Sequence, residues 1–141
     1  MTDSSLAPPQ SGRAIAITKV LISDVALITV LWWISIAIIN PVGDFPLNDD
    51  WSYGSTVKHF VETGEYRPLG WSSVPLITNV IWGSLFCLPA GFSFTALRLS
   101  VLVLSWLGIL GTYVLVREFQ QGRCVAVIFT LSFAFNPIYY S

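Results

Sequence analysis

Long apolar runs alternate with short polar stretches along this chain. Segments 14–39 and 95–116 each exceed the ~20 residues that a helix needs to cross ~30 Å of hydrocarbon, and both are predicted to span a membrane. A third run starts at 124 and continues to 141, which predicts a third span that is truncated. The preceding tail, 1–13, is rich in Ser, Pro and Gln and is predicted to be a disordered cytoplasmic tail.

The polar segment 40–94 contains one clear amphipathic pattern, which predicts a short helix near 51–63. Asp49 or Asp50 is the expected N-cap and Gly64 the expected stop. We expect this helix to lie along the membrane surface with its apolar side toward lipid. That side consists of Tyr53, Val57, Phe60 and Val61.

A second short apolar stretch, 74–88, permits two topologies. At ~1.5 Å per residue it reaches ~22 Å, which is short of a full crossing. If it does not cross, Arg13 and Lys19 share a side with the Arg-bearing turn 117–123, as the positive-inside rule prefers. The pattern therefore predicts an all-α integral membrane protein with three transmembrane helices and two juxtamembrane helices in the first extracytoplasmic loop. Four transmembrane helices are the alternative.

Composition and charge narrow the class further. The chain is 54% hydrophobic and 11% charged, against about 25% charged residues in soluble domains. Its net charge of −1 provides no basic surface for nucleic acid. Lys19 and Asp24 lie near the start of the first span, where they can snorkel or pair across about one turn. Cys87 and Cys124 have no partner spacing that would indicate a disulfide framework or a metal cluster.

Several short motifs follow one another in a fixed order from roughly Pro46 to the end of the chain. They are Asp49-Asp50-Trp51-Ser52-Tyr53, Val61-Glu62-Thr63-Gly64-Glu65-Tyr66, Pro75 before an aromatic-rich helix, Ala96-Leu97-Arg98-Leu99-Ser100, and Val116-Arg117-Glu118-Phe119 with Gly122-Arg123. In this order they resemble the amino-terminal part of GT-C fold membrane glycosyltransferases. The specific group is the protein O-mannosyltransferases and lipid A aminoarabinose transferases of glycosyltransferase family 39.

The resemblance implies transfer of a sugar from a polyprenyl-phosphate donor to a glycan, lipid or protein acceptor outside the membrane, with inversion. A hydroxyl acceptor needs a carboxylate to take its proton. Asp49 matches the family's first acid and would be that base or a ligand of a divalent metal, and Asp50 would orient it or share the metal. Arg98 would meet the donor phosphate and Tyr53 would shape the pocket. The alternative role of Asp49 and Asp50 is to cap the helix. The alternative for Arg98 is to anchor a helix end at the interface, and for Tyr53 it is to belong to the interfacial aromatic belt.

The chain departs from the family at two places. Many relatives have an acid and a lysine directly before the proline of the second surface helix, where this chain has Ser73 and Val74. A complete transferase of this type needs eight or more spans, so the chain is expected to be a front end and inactive alone. It would lie in the bacterial inner membrane, or in the endoplasmic reticulum of a eukaryote. The alternative function is a non-catalytic membrane subunit, or a lipid-binding or assembly protein, that keeps the same entry module.

Overall fold

The computed structural model describes residues 10–46, 50–70, 76–119 and 122–136, with side-chain burial given from Thr18 onward. These parts contain five helices and no strand, so the prediction of an all-α chain is confirmed for them. The first helix begins inside the predicted tail, whose remaining residues lie outside the described ones. The helices are α1 (Gln10–Ile39), α2 (Asp50–Thr63), α3 (Ile77–Cys87), α4 (Phe94–Glu118) and α5 (Arg123–Ala134).

Two helices are long and apolar enough to cross a membrane. They cover Thr18–Ile39, with 22 residues, and Phe94–Glu118, with 25 residues. At ~1.5 Å per residue both exceed the ~30 Å of a hydrocarbon core. The apolar helix α5 has 12 residues, which is too short to establish the predicted third span, and 137–141 lie outside the described residues.

The chain divides into two compact units. The first combines Met1–Ser35 with Gly108–Ser141, and the second is the continuous stretch Ile36–Leu107. The second unit contains the polar segment in which the sequence predicts chemistry. The first contains an ion pair between a buried carboxylate and a half-exposed arginine, which joins its helices.

The core of the second unit lies between α2 and α3. The apolar side predicted for α2 is confirmed, because Val57 is fully buried and Tyr53, Phe60 and Val61 pack around it. The other buried members of this core are Val80, Cys87 and Leu97. The expectation that this side faces lipid is wrong, since α3 covers it instead.

One polar residue of α2 is buried, although it is not part of the apolar side predicted for this helix. Thr56 is only 4% exposed. Its hydroxyl donates to the Ser52 carbonyl oxygen at 3.0 Å, and this local bond removes most of the cost of burying it. The helix ends as predicted at Gly64, which has φ +73° and whose N–H donates to the Phe60 carbonyl at 2.8 Å.

Gly83 lets α2 and α3 approach closely. A Cβ at this position would lie 2.6 Å from the Tyr53 hydroxyl oxygen and 2.8 Å from Leu97 Cδ2. Tyr53 cannot withdraw freely, because its hydroxyl donates to the Asn79 carbonyl at 2.6 Å. The sequence gives no sign of this contact, since a lone glycine in an apolar helix has many explanations.

We therefore expect Gly83→Ala to lower the free energy of unfolding by about 1–3 kcal/mol, the usual range for overpacking. The measurement is unfolding of the purified protein in detergent. The matched control is Gly111→Ala in α4, where an added Cβ meets nothing within 4 Å and alanine favours the helix by about 1 kcal/mol. Equal stability of the two variants would contradict the proposed contact.

The first unit buries a carboxylate. Asp24 on α1 is 1% exposed. Its Oδ2 accepts the Tyr113 hydroxyl at 2.7 Å, and its Oδ1 accepts Arg123 Nε at 2.7 Å and contacts Nη2 at 2.6 Å. The partner of Asp24 is therefore Arg123 of α5, so neither of the two expected arrangements, snorkelling or pairing with Lys19, describes this carboxylate. The ion pair joins α1 to α5, and the Tyr113 hydrogen bond joins α1 to α4.

Candidate functional site

One member of the predicted acidic pair, Asp50, lies at the start of α2. Asp49, the candidate base, is outside the described residues, whereas Asp50 is the first residue of the helix and is exposed. A helix N-terminus stabilises negative charge in its first turn. Asp50 is therefore an accessible carboxylate held at a defined point of the fold. Trp51 beside it is also exposed, at 39%.

Tyr53 lies one turn further and faces the protein interior. Its ring packs on the α2–α3 core, and its hydroxyl is bonded to Asn79 of α3. Burial, together with the nearby Cys87 and Asp50, raises the pKa of Tyr53 to about 12. The hydroxyl therefore stays protonated at neutral pH and keeps donating to the Asn79 carbonyl.

Arg98, the predicted phosphate ligand, binds the chain that follows α1. Its Nη1 donates to the carbonyl oxygens of Pro41, at 3.3 Å, and Gly43, at 2.7 Å. Its Nη2 donates to the Phe45 carbonyl, and the guanidinium carbon lies 5.0 Å from the centre of the Phe45 ring. The side chain thus forms a cationic centre around which 41–45 folds.

Two more bonds join the same segment to the start of α4. The Phe94 N–H donates to Asp44 Oδ1 at 2.7 Å, and the Gly43 N–H donates to Thr95 Oγ1 at 3.2 Å. Asp44 supplies a negative charge where the helix dipole favours one. We call these contacts of residues 41–45 with Phe94, Thr95 and Arg98 the α1–α4 junction.

The start of α2 packs beside this junction. Gly54 is buried, and a Cβ there would lie 2.7 Å from Phe94 Cε1 and 3.3 Å from Phe92 Cζ. The two phenyl rings contact each other edge to face, with centroids 5.2 Å apart. The second turn of α2 therefore meets the first residue of α4, which brings the helix that starts at Asp50 next to the helix that carries Arg98.

Sequence reasoning missed the part that Asp44 plays in this arrangement. Asp44 and Phe94 are separated by 50 positions, and no local pattern links an acid to a helix start at that distance. The only available signal was that an acid and an arginine lie near the facing ends of two apolar runs. Their roles became visible only with the fold.

Besides Asp50, α2 contains two charged residues. Lys58 and Glu62 form an exposed pair at 4.0 Å, which is worth little in water. In the described ranges no three His, Cys, Asp or Glu side chains are grouped so as to hold a metal ion, and Asp49, the candidate ligand, lies outside those ranges. The described residues therefore offer one exposed carboxylate of the predicted pair, Asp50, on a helix that packs against α3. No protein-family model, curated protein or solved structure matches the chain.

Proposed function

We propose that this chain is the amino-terminal part of a membrane glycosyltransferase that moves a sugar from a polyprenyl-phosphate donor to an acceptor on the extracytoplasmic side, with inversion. One observation carries the proposal. The α1–α4 junction anchors the segment leading to Asp49 and Asp50 at the ends of the two helices that can cross a membrane. The motif order in the sequence supplies the reaction class.

A membrane setting is supported by how the two long helices are exposed. Only 22% of the most apolar stretch of α1 and 17% of that of α4 are buried within the protein. The core helix of a soluble protein would be mostly covered, and leaving this much apolar surface in water is unfavourable. Lipid is the solvent that suits these faces.

The junction also supports a topology. Residues 41–45 follow α1 directly and are bonded to the first turns of α4, so α4 starts at the level where α1 ends. Two spanning helices arranged in this way cross in opposite directions. The chain between them then leaves the membrane and re-enters it on the same side. The helix α3, with 11 residues, serves as a juxtamembrane helix.

The α2–α3 hairpin has the two different faces that such a position needs. The outer face of α2 is polar, with Lys58 and Glu62 exposed. The outer face of α3 is apolar and exposed, and it consists of Ile77, Ile81, Leu85 and Leu88. A hairpin with one polar and one apolar face is suited to a membrane interface, with α3 toward the acyl chains and α2 toward water.

The distribution of basic residues supports the orientation. Arg117 and Arg123 lie at the end of α4 and the start of α5, and Arg13 and Lys19 lie near the start of α1. In the proposed topology all four share one side, which the positive-inside rule makes cytoplasmic. Asp50 then faces the opposite side, where polyprenyl-linked sugars would be used. We propose a multi-pass inner-membrane protein in which α5 begins the third span.

The chemistry assigned to the acidic pair is deprotonation of the acceptor. A sugar or protein hydroxyl has a pKa far above 7, so a carboxylate within hydrogen-bond reach must accept its proton as the new glycosidic bond forms. We assign that role to Asp49, with Asp50 orienting it. The donor's phosphate leaves with the electron pair of the bond that breaks. In the alternative assignment Asp49 and Asp50 would hold a divalent metal, which would supply positive charge for the leaving phosphate.

A second function is favoured by a specific observation. Both residues proposed to bind substrate, Arg98 and Tyr53, make bonds within the protein. A non-catalytic membrane subunit, or a lipid-binding or assembly protein, would use them only in this way, and its acidic loop would be a docking surface. The two functions differ in whether turnover exists at all.

The test is a transfer assay on membranes from cells that express the natural gene product. Labelled polyprenyl-phosphate hexose and pentose are supplied as donors, with the matching nucleotide sugars as controls. We expect transfer of label from a polyprenyl-phosphate donor alone. Transfer from the nucleotide sugar, or none above membranes lacking the protein, would contradict the proposal and favour the non-catalytic function.

A further inference from the structure

We infer that Arg117 and Arg123 together bind the phosphate of an anionic phospholipid where α4 ends and α5 begins. The inference uses the membrane setting of the chain and does not depend on the sugar-transfer reaction. Arg117 lies in the last turn of α4, and Arg123 is the first residue of α5. Both act on the buried carboxylate of Asp24, Arg123 by direct contact and Arg117 over distance.

The Asp24 carboxylate brings the two arginines to one site. Arg123 contacts it with Nε at 2.7 Å and with Nη2 at 2.6 Å. Tyr113 donates its hydroxyl to the other carboxylate oxygen at 2.7 Å. Arg117 follows Tyr113 by four residues in α4, and residues four apart are neighbours on one side of a helix. The contacts of Asp24 therefore set the positions of both cations.

This site has one more positive than negative charge. Asp24 neutralises one arginine, and no acid forms an ion pair with Arg117 in the described parts of the chain. Glu118 is the next residue of α4, but it leaves the helix about 100° further round the axis and is exposed. An arginine near a membrane surface attracts anionic lipid headgroups. The surplus charge therefore favours an anionic ligand.

Both guanidinium groups have donors left for such a ligand. The side chain of Arg123 is 51% exposed although it binds Asp24, and its Nη1 has no partner among the described residues. Arg117 is half-buried, and its side chain makes no hydrogen bond with those residues. Arginine suits phosphate because its N–H donors form a planar fork that matches two oxygens. Two such groups beside one carboxylate can share one phosphate.

The surroundings favour a lipid over a free phosphate ion. Asp24 and Tyr113 belong to the two helices of crossing length. Apolar side chains that are each more than half exposed lie within two positions of Asp24, Arg117 or Arg123. They are Ile22, Leu115, Phe119 and Val125. A ligand here meets apolar surface together with positive charge, and a phospholipid matches both with its acyl chains and its phosphate.

The test measures phospholipid binding by the natural gene product, purified in a non-ionic detergent. Phosphatidylglycerol is the anionic probe, phosphatidylcholine the zwitterionic probe and sodium phosphate the free anion, and bound molecules are counted by native mass spectrometry. We expect saturable binding of phosphatidylglycerol, with the other two probes weaker by about 10-fold or more. Loss of one charge-assisted contact weakens binding by roughly 10- to 100-fold, so Arg117→Gln should lose that much affinity for phosphatidylglycerol.

Arg117→Gln leaves the ion pair of Asp24 with Arg123 in place, so its Tm in detergent without added lipid should be unchanged. Arg117→Lys should recover part of the affinity, because lysine restores the charge without the planar fork. The matched control is Arg67→Gln, which removes an exposed arginine from the polar segment 40–94 and should keep the affinity within about twofold.

Three results would overturn the inference. The first is the absence of saturable phosphatidylglycerol binding, or equal binding of phosphatidylcholine. The second is equal weakening by Arg117→Gln and Arg67→Gln, which would mean that only the net charge of the protein matters. The third is binding of sodium phosphate as tight as that of phosphatidylglycerol, which would show that the site takes a free anion and has no preference for lipid.

Discussion

Replacing Asp49 by Asn is expected to abolish measurable sugar transfer while leaving the protein folded. Asparagine keeps the size and the hydrogen-bonding oxygen of the side chain but cannot accept the acceptor's proton. General-base catalysis contributes about 100- to 10,000-fold, so a loss of that order is expected in kcat with the polyprenyl-phosphate donor. The measurement is the initial rate of label transfer at saturating donor.

The matched control is Glu62→Gln, which removes another exposed acid of the same helical segment. Its rate should stay within about twofold of the unmodified protein, because exposed ion pairs contribute little. Comparable losses in both variants would mean that the charge of the loop matters and that Asp49 has no special role. An active Asp49→Asn protein would remove Asp49 as the base.

Loss of Arg123 is expected to have the largest effect on stability. The carboxylate of Asp24 is fully buried and would be left with the Tyr113 hydroxyl as its only described partner. An uncompensated buried charge is far more costly than the absence of the whole pair. We expect Arg123→Gln to lower the Tm of the detergent-solubilised protein by roughly 5–10 °C.

The diagnostic variant is the double substitution Asp24→Asn with Arg123→Gln. It removes the charge that Arg123→Gln leaves unpaired, so it should recover part of the lost Tm in a non-additive manner. Arg117→Gln is the matched control, because Arg117 is a neighbouring cation that influences Asp24 only over distance. Additive losses in the double variant, or an equal loss for Arg117→Gln, would contradict the importance assigned to this pair.

Among the described residues, local pattern was sufficient to locate the helices, except that α1 begins inside the tail predicted to be disordered and the third span is not established. The 3.6-residue spacing of Tyr53, Val57, Phe60 and Val61 identified the inner side of α2, and Gly64 marked its end through a left-handed conformation that suits glycine. Continuous apolar runs identified the two helices of crossing length. These features depend on neighbouring residues, which a single sequence displays directly.

What covers each surface was not predictable in the same way. The apolar side of α2 was expected to face lipid, but it packs against α3. The periodicity of one helix shows which side is apolar and does not indicate which element packs against that side. Asp24 was expected to snorkel or to pair with nearby Lys19, whereas Arg123, 99 positions away, is its actual partner. Long-range pairs depend on how helices are arranged, and spacing within one segment does not encode that arrangement.

The same reason explains why the hydrogen bonds of Arg98 were not predicted. From sequence it was an arginine at the start of a span, which suits either a phosphate or an anchoring role. Its bonds to Pro41, Gly43 and Phe45 could be recognised only when the end of α1 was placed beside the start of α4. Asp49 lies outside the described residues, so its assignment as the base rests on the motif order and remains a prediction.

The most direct measurement asks on which side of the membrane the acidic loop lies. Single cysteines are introduced at Glu65 and Glu118 in a Cys124→Ala background, since Cys124 is exposed and Cys87 is fully buried. Intact cells are then treated with a membrane-impermeant maleimide. We expect Glu65→Cys to be labelled from outside and Glu118→Cys only after permeabilisation. Labelling of both from outside would mean that α3 crosses the membrane, and it would contradict the proposed topology and the catalytic site built on it.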